Sequence, residues 1–381
     1  MKRIKNLNDI FEQVESIIKK FKENNKICIV HHDDSDGCTS CALLYIIIYN
    51  LTGNYPDIIP IRGPNDIKKG LISKLKTLNY DYVIFLDVTA DPKKLDSLKG
   101  FVLDHHIFKD IEEREEMRYF NPCEFEKDDE KVVPTSYMCY KILIDLFPDE
   151  KVAWIAGIGI TEDHRVDICK EVFEKIKKEN PEILKLKKIN QESIEKSFFG
   201  ELGDMVRSGR MIKGSDGAKN AVLAMVECKN RPDKFINGLT QHSSALRNFY
   251  EKVKYRTEGV LDEIEKAGEF YKKEKVIFYE SPKTQIKSAT SFFSDKIRQK
   301  YPGWIVCVTN KDKKNAQIKI SIRLEQTVRK VDLVSILENI KKKIDSLKGG
   351  GHRSAVGAFV NIDDYEDFKK EFLNEVKKLG V

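Results

Sequence analysis

One change of character constrains this chain more than any other. Ile27-Cys28-Ile29-Val30 reads as a buried strand, and it breaks directly into His31-His32-Asp33-Asp34-Ser35-Asp36-Gly37. Carboxylates gathered without partners at the end of a core strand are costly, so the cluster implies a compensating cation. Beyond Gly37 the apolar pattern resumes over about 38–51, a length that suits a helix. The cluster therefore falls on a strand-to-helix turn, the place where open parallel sheets bind ligands.

The rest of the first half repeats that alternation. Leu7, Ile10, Phe11, Val14, Ile17, Ile18 and Phe21 share one face of a helix over 7–23. Strands are predicted at 57–61, 82–86, 101–103 and 117–120, with helices at 65–78 and 92–98 between them. This is the pattern of a parallel α/β sheet covered on both faces. Helices follow at 135–147 and 152–160, the second breaking at Thr161-Glu162-Asp163-His164. Lysine- and glutamate-rich helical periodicity then fills 170–270. The last part changes again, with strands at 275–279, 304–308 and 317–323 and a helix at 331–347 running into Gly349-Gly350-Gly351-His352. The expected architecture is two α/β domains: an N-terminal parallel sheet over 1–180, a helical connector over 181–270, and a smaller C-terminal domain with a mixed sheet over 271–381. A length of 381 residues is enough for about two domains.

Composition removes several classes of function. Hydrophobic residues make up 41% and charged residues 34%, the balance of a core-forming soluble chain. No apolar run reaches the roughly 18–20 residues of a membrane span. Met1-Lys2-Arg3-Ile4-Lys5-Asn6 is basic but no apolar block follows, so no signal peptide is expected, and the expected setting is cytoplasmic. Cys28, Cys139, Cys228 and Cys307 sit inside apolar segments and read as reduced, buried thiols. Cys38-Thr39-Ser40-Cys41 has redox spacing, but with no second pair at metal spacing it reads as structural. The net charge of +6 is compatible with a polyanionic substrate.

The chemistry lies in the turns. Predicted strands end in metal-binding residues: His32, Asp34 and Asp36 after the first, Asp87 after the third, His105 and His106 after the fourth. Carboxylates with imidazoles and no thiolate suit Mn²⁺ or Mg²⁺, with Fe²⁺, Co²⁺ or Zn²⁺ as substitutes. Acids two residues apart on a turn can each face a different ion, and a third carboxylate can bridge them, which is the layout of a two-metal site. Of the seven histidines, only His242 lies outside the charged or glycine-rich turns; His31, His32, His105, His106, His164 and His352 are all within them.

Asp104-His105-His106, taken with His32-x-Asp34-x-Asp36-Gly37, Asp87 and Asp163, resembles the DHH phosphoesterase superfamily. Gly349-Gly350-Gly351-His352, with Ser321-Ile322-Arg323 upstream, resembles the DHH-associated C-terminal domain, and within the superfamily the likeness is to compact, archaeal-type RecJ-like nucleases. The resemblance implies that His32 and Asp34 hold one Mn²⁺, that Asp36, His105 and Asp163 hold a second, and that Asp87 bridges them and positions a hydroxide. It implies that His106 contacts the scissile phosphate or assists the leaving group, while Asp104 orients a ligand. Gly349, Gly350 and Gly351 would let backbone N–H groups approach a phosphate or terminal nucleotide, with Arg323 and His352 adding charge and hydrogen bonds. Mg²⁺ or Co²⁺ could replace Mn²⁺.

The implied activity is hydrolysis of single-stranded DNA or RNA from an end, with a replication or repair protein as partner and no membrane. Relatives of this kind that hydrolyse short oligoribonucleotides or cyclic dinucleotides, or that lose the ligands and serve as replication scaffolds, supply the alternatives; here the ligand set is complete. Where the family's fourth motif often reads Gly-Asp, this chain has Glu162-Asp163. Lys313-Lys314 and Lys341-Lys342-Lys343 read as solvated surface, Phe198-Phe199 and Phe292-Phe293 as core. Arg207, Arg210 and Arg247 are candidates for lining a substrate cleft.

Overall fold

A computed structural model describes all residues except 1–3, 96, 108–115, 282–288, 313, 326–327, 329 and 380–381, so Lys313 lies outside the described residues. The chain divides into two compact units, Met1–Tyr250 and Glu251–Val381.

The first unit begins with α1 (Leu7–Ile18), β1 (Ile27–His32), α2 (Ser35–Thr52), β2 (Asp57–Ile61), α3 (Lys69–Thr77), β3 (Tyr82–Leu86), α4 (Pro92–Leu95), β4 (Gly100–Leu103) and β5 (Met117–Phe120). The strands form one sheet in the order β2-β1-β3-β4-β5, parallel throughout. Along β1, Ile27 and Ile29 enter the core on one face while Cys28 and Val30 enter the core on the other. That order puts its reversal between β1 and β3, and open sheets bind ligands beyond the carboxyl ends of strands at such a switch point.

The helices that follow are α5 (Thr135–Leu146), α6 (Ala153–Glu162), α7 (Lys170–Glu179), α8 (Gln191–Glu195), α9 (Phe198–Lys213), α10 (Ser215–Glu227) and α11 (Pro232–Ile236); α12 (Gln241–Ala267) crosses from the first unit into the second. Residues 181–250, expected as part of a connector, are built into the first unit. Phe199, Leu202, Ala221, Val222 and Phe235 are buried in the same core as α2 and α6. The lysines and glutamates that suggest a free-standing connector occupy only the outer faces of these helices.

Local chemistry sets the boundaries around β1. Helix α2 begins at Ser35, earlier than expected, because the Asp34 carboxylate caps it by accepting from the Gly37 N–H at 3.0 Å. A Cβ on Gly37 would collide with the His32 carbonyl, so only glycine lets the helix start hard against the strand end. The helix expected over 65–78 is split: Pro64–Asp66 forms a 3₁₀ turn and α3 starts at Lys69. Helix α6 runs through Glu162 and leaves Asp163 at its C-cap.

The second unit contains β6 (Glu269–Tyr271), β7 (Val276–Glu280), α13 (Ala289–Lys300), β8 (Ile305–Asp312), β9 (Gln317–Arg323), α14 (Leu333–Lys341), β10 (Lys348–His352), β11 (Ala355–Asn361) and α15 (Tyr365–Lys378). Its mixed sheet runs β10-β11-β9-β8-β7-β6, with β7 and β8 parallel and the other pairs antiparallel. The triglycine segment, expected as a loop, is the edge strand β10, paired in register with β11. A run of glycines has no hydropathy alternation to announce a strand. All eight cysteines are free, seven of them buried. No helix among the described residues is long and apolar enough to cross a membrane.

Candidate metal centre

Each candidate ligand in the first unit is placed by the end of an element. His32 closes β1, Asp34 caps α2 and Asp36 lies in its first turn; Asp87 follows β3; Asp104, His105 and His106 follow β4; Asp163 caps α6. Asp87 has φ +56°, a left-handed conformation uncommon outside glycine and several-fold enriched in aspartate, and it turns the chain just beyond the sheet.

These ends converge. Three trios of ligand atoms each fall within 4.8 Å of one another: His32, Asp34 and Asp87; Asp36, His105 and Asp163; Asp87, His105 and His106. His32 Nδ1 lies 2.7 Å from Asp34 Oδ2 and 3.4 Å from Asp87 Oδ2. His105 Nε2 lies 3.1 Å from both Asp87 Oδ1 and Asp163 Oδ2, and 3.9 Å from Asp36 Oδ2. Asp87 thus reaches both neighbourhoods, through Oδ2 toward His32 and Oδ1 toward His105.

Several of these short distances lack the geometry of a hydrogen bond. His32 Nδ1, both Asp87 oxygens and Asp163 Oδ2 are buried with no hydrogen-bond partner. Buried polar atoms in folded proteins are almost always paired. Ligand atoms that converge without satisfied hydrogen bonds fit a divalent cation, and a set of carboxylate oxygens and imidazole nitrogens without thiolate fits a hard or borderline one.

The supporting contacts hold each ligand in orientation. Asp36 accepts from the Thr135 and Ser136 backbone N–H groups at 2.9 and 3.0 Å, so the N-terminus of α5 fixes it. A Cβ on Gly159 of α6 would run into Thr39, Ser136 and Asp36, so this glycine permits the approach of α6 to the carboxylate. Asp104 is fully buried. It pairs with His106 Nδ1 at 2.7 Å and accepts from Tyr119 Oη at 3.0 Å and Thr89 Oγ1 at 3.2 Å. Asn121 Nδ2 donates to the His106 carbonyl at 2.8 Å. None of Thr135, Ser136, Tyr119 or Asn121 is singled out by the sequence. The nearest of them lies fifteen positions from its partner, and no local spacing signals them.

Electrostatics reflect the crowding. Burial and then neighbouring carboxylates push Asp36 and Asp87 up to about 7, and push Asp163 well above the usual carboxylate range. Burial and the adjacent His106 lower His105 to about 4, which keeps it the neutral imidazole that binds metals. Burial opposes charge on His106 too, but Asp104 and then Asp87 raise it to about 10. Against burial, Asp34 raises His32 and His32 lowers Asp34, so that pair attracts, whereas Asp36, Asp87 and Asp163 repel one another, a repulsion that divalent cations would offset.

The other polar residues noted in the sequence also find places. His31 and Asp33 are buried, and His31 Nδ1 lies 2.7 Å from the His32 carbonyl oxygen. Arg210 pairs with Asp33 at 3.2 Å and Arg207 with Glu162 at 3.0 Å, whereas Arg247 donates to the Ile236 carbonyl. His164 Nδ1 pairs with Glu195 at 2.9 Å and His242 Nδ1 with Glu227 at 2.6 Å. Phe199, Phe292 and Phe293 are buried, but Phe198 is 46% exposed.

In the second unit, Arg323 and His352 both face Ala355 in register across β11, and Gly350 faces Gly357. Arg323 Nε pairs with Asp295 at 2.8 Å. Gly349 and Gly351 have φ +156° and +151°, and a Cβ on either would strike the backbone of β11. Gly350 and Gly357 carry no such constraint, since a Cβ on either meets open space.

Residues 275–378 match the DHHA1 domain family. Over nearly the whole chain the fold is that of RecJ-like DHH proteins. RecJ in complex with Mn²⁺ from Thermus thermophilus is 14% identical, with a TM-score of 0.66, covering 99% of this chain and 55% of that one. A DHH domain described as a member of the s1p family of ribosomal proteins is 16% identical, with a TM-score of 0.68 and coverage of 97% and 90%. CDC45 from Entamoeba histolytica is 9% identical, with a TM-score of 0.50 and coverage of 97% and 98%. This chain therefore spans about half the length of the Thermus RecJ chain. No curated protein sequence matches it.

Proposed function

From a chain with the RecJ-like DHH phosphoesterase fold and a DHHA1 domain at residues 275–378, we propose a metal-dependent phosphodiesterase that hydrolyses single-stranded DNA or RNA from an end. The observation that carries this reading is the set of buried, unpartnered ligand atoms of His32, Asp87 and Asp163 at the sheet's switch point. In this reading His32 and Asp34 would hold one Mn²⁺, Asp36, His105 and Asp163 would hold a second, and Asp87 would serve both. When bound, two such ions supply a hydroxide nucleophile at neutral pH and stabilise charge on the phosphorus.

The chain's own groups do the rest. Asp87, with one oxygen toward each trio, would be shared between the two ions and would position a water for attack. Asp104 keeps His106 cationic and aimed, so His106 contacts the scissile phosphate or gives its proton to the leaving oxygen. In the C-terminal unit, Arg323, His352 and the Gly349–Gly351 segment bind the substrate's phosphates or terminal nucleotide. Gly350 and Gly357 supply bare backbone that the fold itself does not require.

The likeness to CDC45 raises a second reading, that of a replication-complex component without activity. A chain retained for assembly alone has no use for four carboxylates crowded beside three histidines, so the catalytic reading is the stronger. End-labelled DNA and RNA strands incubated with Mn²⁺, with Mg²⁺ and with chelator test it. Stepwise shortening with a divalent ion and none with chelator is expected. Cleavage of dimers to pentamers alone would replace the exonuclease by an oligonucleotide phosphodiesterase, and no cleavage under any condition would sink the catalytic reading.

A further inference from the structure

The two arginines of α9 reach the metal centre from outside it. Arg207 and Arg210 stand three residues apart on a helix and so project from one side of it. Each engages an acid directly next to a candidate ligand. Arg210 Nη1 lies 3.2 Å from Asp33 Oδ1, and Asp33 sits between His32 and Asp34. Arg207 Nε lies 3.0 Å from Glu162 Oε1, and Glu162 precedes Asp163. One arginine therefore holds the turn that carries His32, Asp34 and Asp36, and the other holds the helix end that carries Asp163. Both pairs are largely shielded: the Asp33 side chain is 6% exposed and that of Arg207 10%.

The helix is itself fixed. Phe199, Leu202, Met205 and Val206 bury one side of α9 in the core of the first unit. Gly209 meets the backbone at Gly217 of α10 so closely that a Cβ on either would collide. A rigid bar gripping two turns fixes the distance between them. Glu162 also extends α6 to the edge of the site, so Arg207 holds Asp163 at the end of a continuous helix.

We propose that Arg207 and Arg210 are positioning residues that set the spacing of the two metal-holding turns, so that the two ions form a coupled pair. They act through Asp33 and Glu162 rather than as ligands themselves. This inference rests on the two-ion reading above, and its test separates the two.

Because Arg210→Met alone strands a buried carboxylate, the variants of choice remove both charges of a pair: Asp33→Asn/Arg210→Met and Glu162→Gln/Arg207→Met. Arg207→Lys and Arg210→Lys keep the charge with less reach and serve as rescue controls. Metal-free full-length protein is titrated with Mn²⁺, following stoichiometry by calorimetry and pairing by the exchange-coupled Mn²⁺ signal in electron paramagnetic resonance, with circular dichroism to establish folding.

Wild-type protein is expected to bind two ions and show the coupled signal. Each double variant is expected to fold, to lose about 10- to 100-fold in affinity for the second ion, and to show isolated-ion signals, with partial recovery in the lysine variants. Two ions bound with wild-type affinity and coupling in both double variants would overturn the proposal. So would a raised KM for oligonucleotide with metal binding unchanged, which would make the arginines substrate contacts. If wild-type protein itself binds no pair of ions, it is the two-ion reading that fails.

Discussion

The two sheets of this molecule carry their candidate chemistry in opposite ways. In the first unit, acids and imidazoles gather at the ends of β1, β3 and β4, mostly shielded from solvent, in trios whose ligand atoms lie within 4.8 Å of one another. In the second, Gly349, Gly350, Gly351 and His352 lie along an exposed edge strand, where Gly350 meets open space, and Arg323 lies two strands in, paired with Asp295. The first arrangement costs the fold stability, a cost that bound cations would offset. The second costs little, so its role is argued from likeness and from what the fold fails to require. Function is most legible where the structure works against its own stability.

That contrast makes its sharpest prediction at Asp87. Asp87→Asn should reduce nuclease turnover on the order of 10³-fold, since it removes charge from the bridging position and several kcal/mol of transition-state stabilisation. The same change should make the metal-free protein more stable. Burial and Asp34 push this carboxyl up to about 7, against an ordinary value near 4, so its ionisation opposes folding increasingly as pH rises from about 4 to about 7. The gain in Tm over wild type should therefore be larger at pH 8 than at pH 5, with chelator present at both. A lower Tm for the variant at pH 8 would show that the cluster is a stabilising network and would remove the argument for cations.

How far the sequence reveals these sites follows the same division. Alternating strands and helices predict the parallel sheet, and polar breaks at 31–37, 87 and 104–106 mark the ends that meet. What local pattern cannot reveal is contact across distance. The hold of Thr135 and Ser136 on Asp36 spans about a hundred residues, and that of Arg210 on Asp33 spans 177. Residues 181–250 look like a charged connector because each helix shows a polar face, and only packing reveals that the other face closes the first core. In the second unit β10 is hidden because its glycines have no hydropathy pattern, although β11 beside it alternates Val356, Ala358 and Val360 inward.

The glycine strand offers a prediction of intermediate size that sets the two kinds of site against each other within three residues. Gly349→Ala forces a side chain into a left-handed position against the backbone of Gly357 and Ala358, and should destabilise the second unit by about 1–3 kcal/mol. Gly350→Ala meets open space and should leave Tm unchanged while raising KM for oligonucleotide about tenfold, with kcat retained. Unchanged KM in the Gly350 variant would show that the exposed edge does not bind substrate.

The smallest effect is expected at the lysines of 341–343, which are easily mistaken for a phosphate-binding patch. Lys341 Nζ bonds Glu338 at 2.6 Å and the Gly349 carbonyl at 2.7 Å, Lys342 Nζ lies 3.3 Å from Asn339, and Lys343 Nζ pairs with Glu371 at 2.6 Å. A lysine already turned to its own helix or to a neighbouring acid releases few counterions when a strand binds. Lys343→Ser should accordingly leave the slope of log K against log salt for single-stranded oligonucleotide unchanged. A phosphate contact would instead reduce that slope by about 0.7. Such a reduction would mean that the exposed part of the C-terminal unit contacts substrate phosphates, and the contrast between the two sheets would then lie in exposure alone.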